Sequence, residues 1–238
     1  MLTPDSTPPS DVLSALPIFP LPNVVLLPGM VLPLNVFEPR YLELVDHVLS
    51  DGLHIGVPLL RRGYESNYEG RPPIEEIFGI GRLLAHHRFP DGRRFIRLEG
   101  LGRVRLTREL EPRRSFREVE AVALPESPST DAQSLEILKA QVERVACLCP
   151  DDGEMIDSLL SITDARVFSY AVSALLPSIE LMNGAPVGTS GRCAQVEILQ
   201  ECLAAESTDA RIRLLVARTG NVIAGLSANN LRTSQLLN

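Results

Sequence analysis

The 238-residue sequence has no tryptophan and only one lysine. That lysine, Lys139, sits between Leu138 and Ala140, so no Gly-Lys-Ser/Thr run exists. A Walker A phosphate loop, whose lysine contacts the terminal phosphates, is therefore absent from it. Neither His-Glu-x-x-His nor Gly-x-Ser-x-Gly occurs. Aromatic residues make up 5%, so the core has to come from Leu, Val, Ile and Ala. Cysteine is sparse: Cys147, Cys149, Cys193 and Cys202. The Cys-x-Cys pair has poor zinc spacing, and the other two fall on an expected helix, so all four are read as buried structural thiols. No basic residue precedes Arg40, which denies the N-terminus the positive region of an export signal. A cytoplasmic location without a disulfide framework is the expectation.

Charge is missing altogether from Val12 to Phe37. Such a run is long enough to suggest a membrane span, but Pro17, Pro20, Pro22, Pro28 and Pro33 exclude it. Each lacks an N–H, and lipid offers no substitute for the lost bonds. The run reads instead as two extended segments joined by a turn at Pro28-Gly29, with its prolines at strand starts, edges or bulges. Pro39 then opens a helix, where its missing N–H is not needed.

The stretch from Leu16 to Tyr41 resembles the start of the Lon substrate-binding (N-terminal) domain. That family occurs at the front of ATP-dependent Lon proteases and as free-standing bacterial proteins. The matching pieces are Leu16-Pro17-Ile18-Phe19-Pro20-Leu21, Val24-Val25-Leu26-Leu27-Pro28-Gly29 and Phe37-Glu38-Pro39-Arg40-Tyr41, the last typical of free-standing members. Further on, Gly79 and Gly81, the Pro90-Asp91-Gly92 turn and the Glu99–Arg103 segment follow in the family's order. The resemblance covers about 16 to 224, with the 183–191 loop as an apparent insertion. It implies a PUA-like β lobe followed by a helical bundle, and a part that recognises substrate. The family's peptidase uses a Ser-Lys pair, and Lys139 lies outside any matching segment.

The periodicity of the residues leads to the same α+β class. Residues 1–12 read as a disordered tail and 13–125 as a mainly antiparallel β lobe, a small barrel with one or two helices. Strands are expected near 16–21, 30–37, 54–59, 76–85, 95–100, 104–110 and 116–124. Tyr41, Leu42, Val45, Val48 and Leu49 share one face of a helix over 39–50. The glycines inside the 76–85 strand suggest a bend or bulge at a barrel corner. Residues 125–131 read as a linker. From there to 225 the period becomes 3.6, giving helices capped by Asp131 or Ser134, by Asp164, and by Thr208 or Asp209. Residues 226–238 read as a frayed tail.

Net charge is −7, which does not suggest a general nucleic-acid binder. Yet 11 arginines against 5 acidic residues lie between Arg82 and Glu118. The favoured reading of that excess is a solvated sheet face whose charges pair with acidic neighbours. The other is an RNA-binding surface, with Phe89, Phe95 and Phe116 as the few available stacking rings. His86 and His87 are the residues a cryptic hydrolase would use, although neighbouring strand residues point to opposite faces. Asp151-Asp152-Gly153-Glu154 lacks the alternating ligands of a calcium loop and reads as a helix start. No metal and no cofactor is expected.

The conclusion from sequence is a non-catalytic protein-binding module. Its partner would be unfolded or tagged polypeptide, with a protease or chaperone as a further partner and an adaptor role in proteolysis. The candidate binding residues are Phe37, Glu38, Arg40 and Tyr41, at the rim of a groove between the two lobes, where strand gives way to helix.

Overall fold

The computed structural model describes residues 10–68, 70–148, 153–182 and 194–236. The chain divides into two compact units, the first ending at Pro125 and the second starting at Glu126.

The first unit opens with a short helix, α1 (Ser10–Ser14), where a disordered tail was expected as far as residue 12. Leu13 is the reason: it is buried among Leu16, Ile18 and Phe78. Strands β1 (Leu16–Ile18) and β2 (Val31–Val36) follow, with a tight turn before β2. Pro28 and Gly29 occupy its centre, Gly29 has φ 80°, and the Met30 N–H donates to Leu27 O at 3.2 Å. A positive φ at the third turn residue is what calls for glycine there. Helix α2 (Pro39–Asp51) ends at Gly52, and β3 (His54–Val57) returns to the sheet.

Then come β4 (Ile77–Arg88), β5 (Arg94–Glu109) and β6 (Arg117–Ala123). The sheet order is β2-β5-β4-β3-β1-β6, and β5 also pairs with β6. That second pairing closes β5-β4-β3-β1-β6 into a ring, with β2 attached outside it. One strand serves three neighbours because it is long. Residues 94–99 of β5 pair with β2, and residues 104–109 pair with β6. The sequence suggested two strands here, broken at Gly100 and Gly102; the chain runs through both glycines as a single strand.

The expected irregularity at the β4 glycines is present as a register shift at Gly81, and glycines of β4 and β5 also make room for another part of the chain. A Cβ on Gly79 would lie 2.0 Å from Leu26 O, and one on Gly100 2.1 Å from Leu27 O. The uncharged Val24–Leu27 segment therefore lies against the barrel wall, and only a bare backbone leaves room for it. Register shifts do occur in the β4–β5 ladder, between Ile80 and Gly81 and between Leu83 and Ala85.

The second unit is helical: α3 (Ala132–Leu148), α4 (Gly153–Leu160), α5 (Ala165–Met182), α6 (Ala194–Ala204) and α7 (Thr208–Leu236). Leu138, Val142, Phe168, Val172, Cys202, Ile212 and Leu215 meet in one core. Asp131 caps α3 by accepting from the Ser134 N–H at 3.0 Å, and Asp164 caps α5 through the Arg166 N–H at 2.8 Å. The cap of α7 is neither Thr208 nor Asp209 but Ser207, whose hydroxyl accepts from the Ala210 N–H at 3.1 Å. Two ends also run beyond the expected helices. α5 continues past Pro177 to Met182, and α7 continues to Leu236, through most of the stretch read as a frayed tail. The expected 183–191 loop lies outside the described residues.

The 125–131 segment, read as a linker, is tied to the helices of the second unit. Arg211, fully buried, donates to Glu126 Oε1 at 3.0 Å and pairs with Oε2, and its Nε donates to Ser169 at 2.9 Å. The guanidinium lies 3.7 Å from the Tyr170 ring centre, and the Tyr170 hydroxyl also donates to Glu126. Asp209 accepts from the Thr130 hydroxyl at 2.8 Å. Glu126 thus meets α5 and α7 at one point.

Candidate functional site

The four residues singled out by sequence lie where β2 passes into α2. Glu38 precedes the helix with extended backbone, φ −70° and ψ 134°, and its side chain makes no cap bond. One oxygen of its carboxylate instead accepts from Arg40 twice, from Nε at 3.0 Å and from a second guanidinium nitrogen at 2.8 Å. The other carboxylate oxygen accepts from the Tyr68 hydroxyl at 2.7 Å. Arg40 also lies over two rings, 4.8 Å from the Tyr41 centre and 5.2 Å from that of Tyr68. Tyr41 is 5% exposed and packs on Phe19 with ring centres 4.1 Å apart.

Glu38, Arg40 and Tyr41 therefore come together, and Tyr68 completes the cluster. Tyr68 was missed because it lies in the polar loop between Gly63 and Gly70, thirty positions from Glu38. The available signal was the Tyr64, Tyr68 spacing: the two rings meet edge-on at 6.1 Å. Phe37 stands apart, 64% exposed, the most open of the large apolar side chains among the described residues. Met30 and Val31 are also exposed, at the other end of β2.

Electrostatically the cluster is closed. Burial pulls against the charge on Arg40, but Tyr41 and Glu38 outweigh it and its pKa is raised. Burial pushes the Tyr41 hydroxyl up to about 12. Burial and then the Glu38 carboxylate raise that of Tyr68. Every charge has its opposite beside it, and both phenols stay protonated at neutral pH. Such an arrangement stiffens the start of α2, next to Phe37 in the chain; it holds no activated nucleophile and no poised base. Tyr41 belongs to the core and serves as backing for Arg40.

The other candidates are dispersed. His86 and His87 pair with Ile96 and Phe95 and so fall on opposite faces of the hairpin. His47 stacks on Phe116 at 5.5 Å. Cys202 is buried, and burial raises its thiol pKa; Cys147, expected to be buried, is exposed. Cys149, Cys193 and the Asp151-Asp152 pair lie outside the described residues. Among the described residues no three His, Cys, Asp or Glu side chains converge as metal ligands. Likewise among them, no helix is long and apolar enough to cross a membrane.

Six of the eleven arginines in the basic segment pair with carboxylates. Arg82 pairs with Glu99 at 2.8 Å, Arg93 with Asp91 at 2.7 Å, Arg108 with Glu120 at 2.7 Å and Arg117 with Glu109 at 2.7 Å. Arg94 pairs with Asp46 of α2, and Arg114 with Glu118 at 3.7 Å.

Two solved structures share the fold. One is the N-terminal domain of Mycobacterium avium complex Lon protease, with TM-score 0.61 and 17% identity, covering 87% of this chain and 98% of that one. The other is a Lon N-terminal domain protein from Xanthomonas campestris, with TM-score 0.55 and 23% identity, covering 85% and 97%. Among curated proteins, Lon protease 2 of Sorangium cellulosum is 28% identical over 227 residues, which are 90% of this chain. Lon protease of Lawsonia intracellularis is 29% identical over 182 residues. The chain spans a quarter or less of the length of these relatives, 25% and 21%. The family profile described as the ATP-dependent protease La (LON) substrate-binding domain matches residues 15–181. With most of its length matched and the same fold in both solved neighbours, this chain belongs to the LON substrate-binding domain family.

Proposed function

We propose that this chain binds unfolded or tagged polypeptide without transforming it, and acts as an adaptor that hands it to a protease or chaperone. The observation that supports this most is the family match over residues 15–181, a family described by substrate binding. The β2–α2 junction adds a physical basis. Phe37 offers a large apolar surface next to a helix start that Glu38, Arg40 and Tyr68 hold rigid. Aromatic anchors on a preorganised base bind with little ordering entropy lost. RNA binding is the weaker reading, because six arginines of the basic segment already face carboxylates.

The test is fluorescence anisotropy with labelled, reduced and carboxymethylated α-lactalbumin, a permanently unfolded probe, against its native form. Saturable binding of the unfolded form alone is expected. Phe37→Asp should weaken it about tenfold, the usual range for an aromatic anchor. No binding by the wild-type chain across a panel of unfolded probes overturns the proposal.

A further inference from the structure

β2 is the terminal strand of the sheet, and its ladder to β5 fixes where its main-chain groups point. The Gly100 N–H donates to Met30 O at 2.8 Å, and the Phe89 N–H donates to Arg93 O at 2.8 Å at the other end of the hairpin. Bonding in an antiparallel ladder alternates from residue to residue. Counting from either anchor gives one answer. Leu32, Leu34 and Val36 bond to β5, opposite Leu98, Ile96 and Arg94. Val31, Pro33 and Asn35 turn their main-chain groups away from β5, and β2 pairs with no other strand. Pro33 fits this parity, since its missing N–H then costs no ladder bond. Among the described residues the open side of β2 thus presents three carbonyls and two N–H groups, those of Val31 and Asn35.

The side chains flanking this edge set what can lie against it. On the inner row Leu32 and Leu34 are only partly buried, although they pack on the core of α2. On the outer row Val31, Pro33 and Asn35 are exposed, and Arg97 of β5 lies directly across from Pro33. Arg97 is exposed and has no ion pair among the described residues. A residue placed beside Pro33 by a new strand would sit two strand spacings, about 10 Å, from the Arg97 backbone. The small proline ring between them leaves that distance open to a carboxylate. The far side of β4 also has a free stretch beyond Arg82, but a register shift and the His86, His87 and Arg88 side chains blunt it.

We infer that the open edge of β2 captures an extended polypeptide segment as an added strand, one that alternates apolar residues on the inner row with an acidic residue facing Arg97. This rests on the polypeptide-binding proposal and gives it a place and a pattern. Main-chain pairing supplies affinity that depends little on sequence, and the side-chain rows supply the preference. A second copy of β2 fits poorly as the occupant: it brings a proline and no carboxylate.

The experiment uses the full chain and two labelled nine-residue peptides, valines on one face and threonines on the other, with glutamate or lysine at the centre of the threonine face. The glutamate peptide should bind at least fivefold tighter, and Arg97→Glu should reverse that order. Asn35→Pro removes an outward N–H without touching the ladder, and should weaken the glutamate peptide by about fivefold. Pro33→Ala restores an outward N–H and should tighten it by about threefold; both figures follow the usual worth of one hydrogen bond. Circular dichroism checks that all three variants fold. Two outcomes overturn the inference while polypeptide binding stands: unfolded probes that bind the wild type and all three variants equally, or a wild-type dimer in sedimentation that Asn35→Pro disperses. If the wild type binds no unfolded probe, the broader proposal fails first.

Discussion

Two glycines separated by 23 positions illustrate how one residue type answers to different forces. At Gly79 the space for a side chain is taken by the Leu26 carbonyl, so a methyl group forces backbone apart. At Gly102 nothing lies within 4 Å, and no positive φ is recorded there. Gly79→Ala should therefore destabilise by about 3 kcal/mol or prevent folding, as overpacking against a main chain does, whereas Gly102→Ala should be near neutral. Urea unfolding of the two variants side by side checks this. A larger loss for Gly102→Ala than for Gly79→Ala would contradict the close-approach account. From sequence, Gly79 reads as a bend or bulge inside a strand and Gly102 as part of a break between two strands. The reason for Gly79 lies in a segment that reaches it from far along the chain, and no local pattern records it.

Among the elements, the helices and turns were the most legible, because their signals are local. The Pro28-Gly29 and Pro90-Asp91-Gly92 turns, the α2 apolar face and the Asp131 and Asp164 caps are each written within a few residues. What escaped is set by distant partners: the continuity of β5, the Tyr68 lid over Glu38, and the pinning of Glu126 between α5 and α7. The last of these carries a prediction. Arg211 has no access to water, and Glu126 depends on it for charge balance. Removing one member of a buried pair strands the other, with a typical loss of about 3 to 5 kcal/mol. Arg211→Met should show that loss, and the double variant Arg211→Met, Glu126→Met should recover most of it. A double-mutant cycle by chemical denaturation measures the coupling. If the losses simply add, the two side chains do not act as a pair.

At the scale of the whole molecule, acid should act in two stages, the first of them in the barrel. Burial lowers the pKa of His54, with Arg82 adding to the effect against the Gly52 backbone bond and Asp11. Among the described residues its Nδ1 is buried without a hydrogen-bond partner. A folded pKa below the unfolded value gives stability that is complete above about pH 6.5 and shrinks as pH falls. Asp91 in the barrel unit and Asp131, Asp164 and Asp209 in the helical unit are also lowered, chiefly by the hydrogen bonds their carboxylates accept from Arg93, Ser134, Arg166 and Ser129. Their contribution is complete above the ordinary carboxylate range and is lost only below about pH 4. Denaturation midpoints taken from pH 8 to pH 3 should fall first in the barrel and later in both units. His54→Asn should flatten the first stage and leave the second. A first stage that survives this substitution assigns it to another group.

The contact of Leu26 and Leu27 with the barrel wall also bears on how the chain is made. These residues are synthesised roughly fifty to seventy residues before the glycines that receive them. Contacts between such distant positions form slowly, because the intervening loop has to close first. The uncharged Val12–Phe37 stretch therefore leaves the ribosome long before its cover exists. A domain whose family is described by its grip on substrates begins its own life as an exposed, charge-free strip of the kind that chaperones hold.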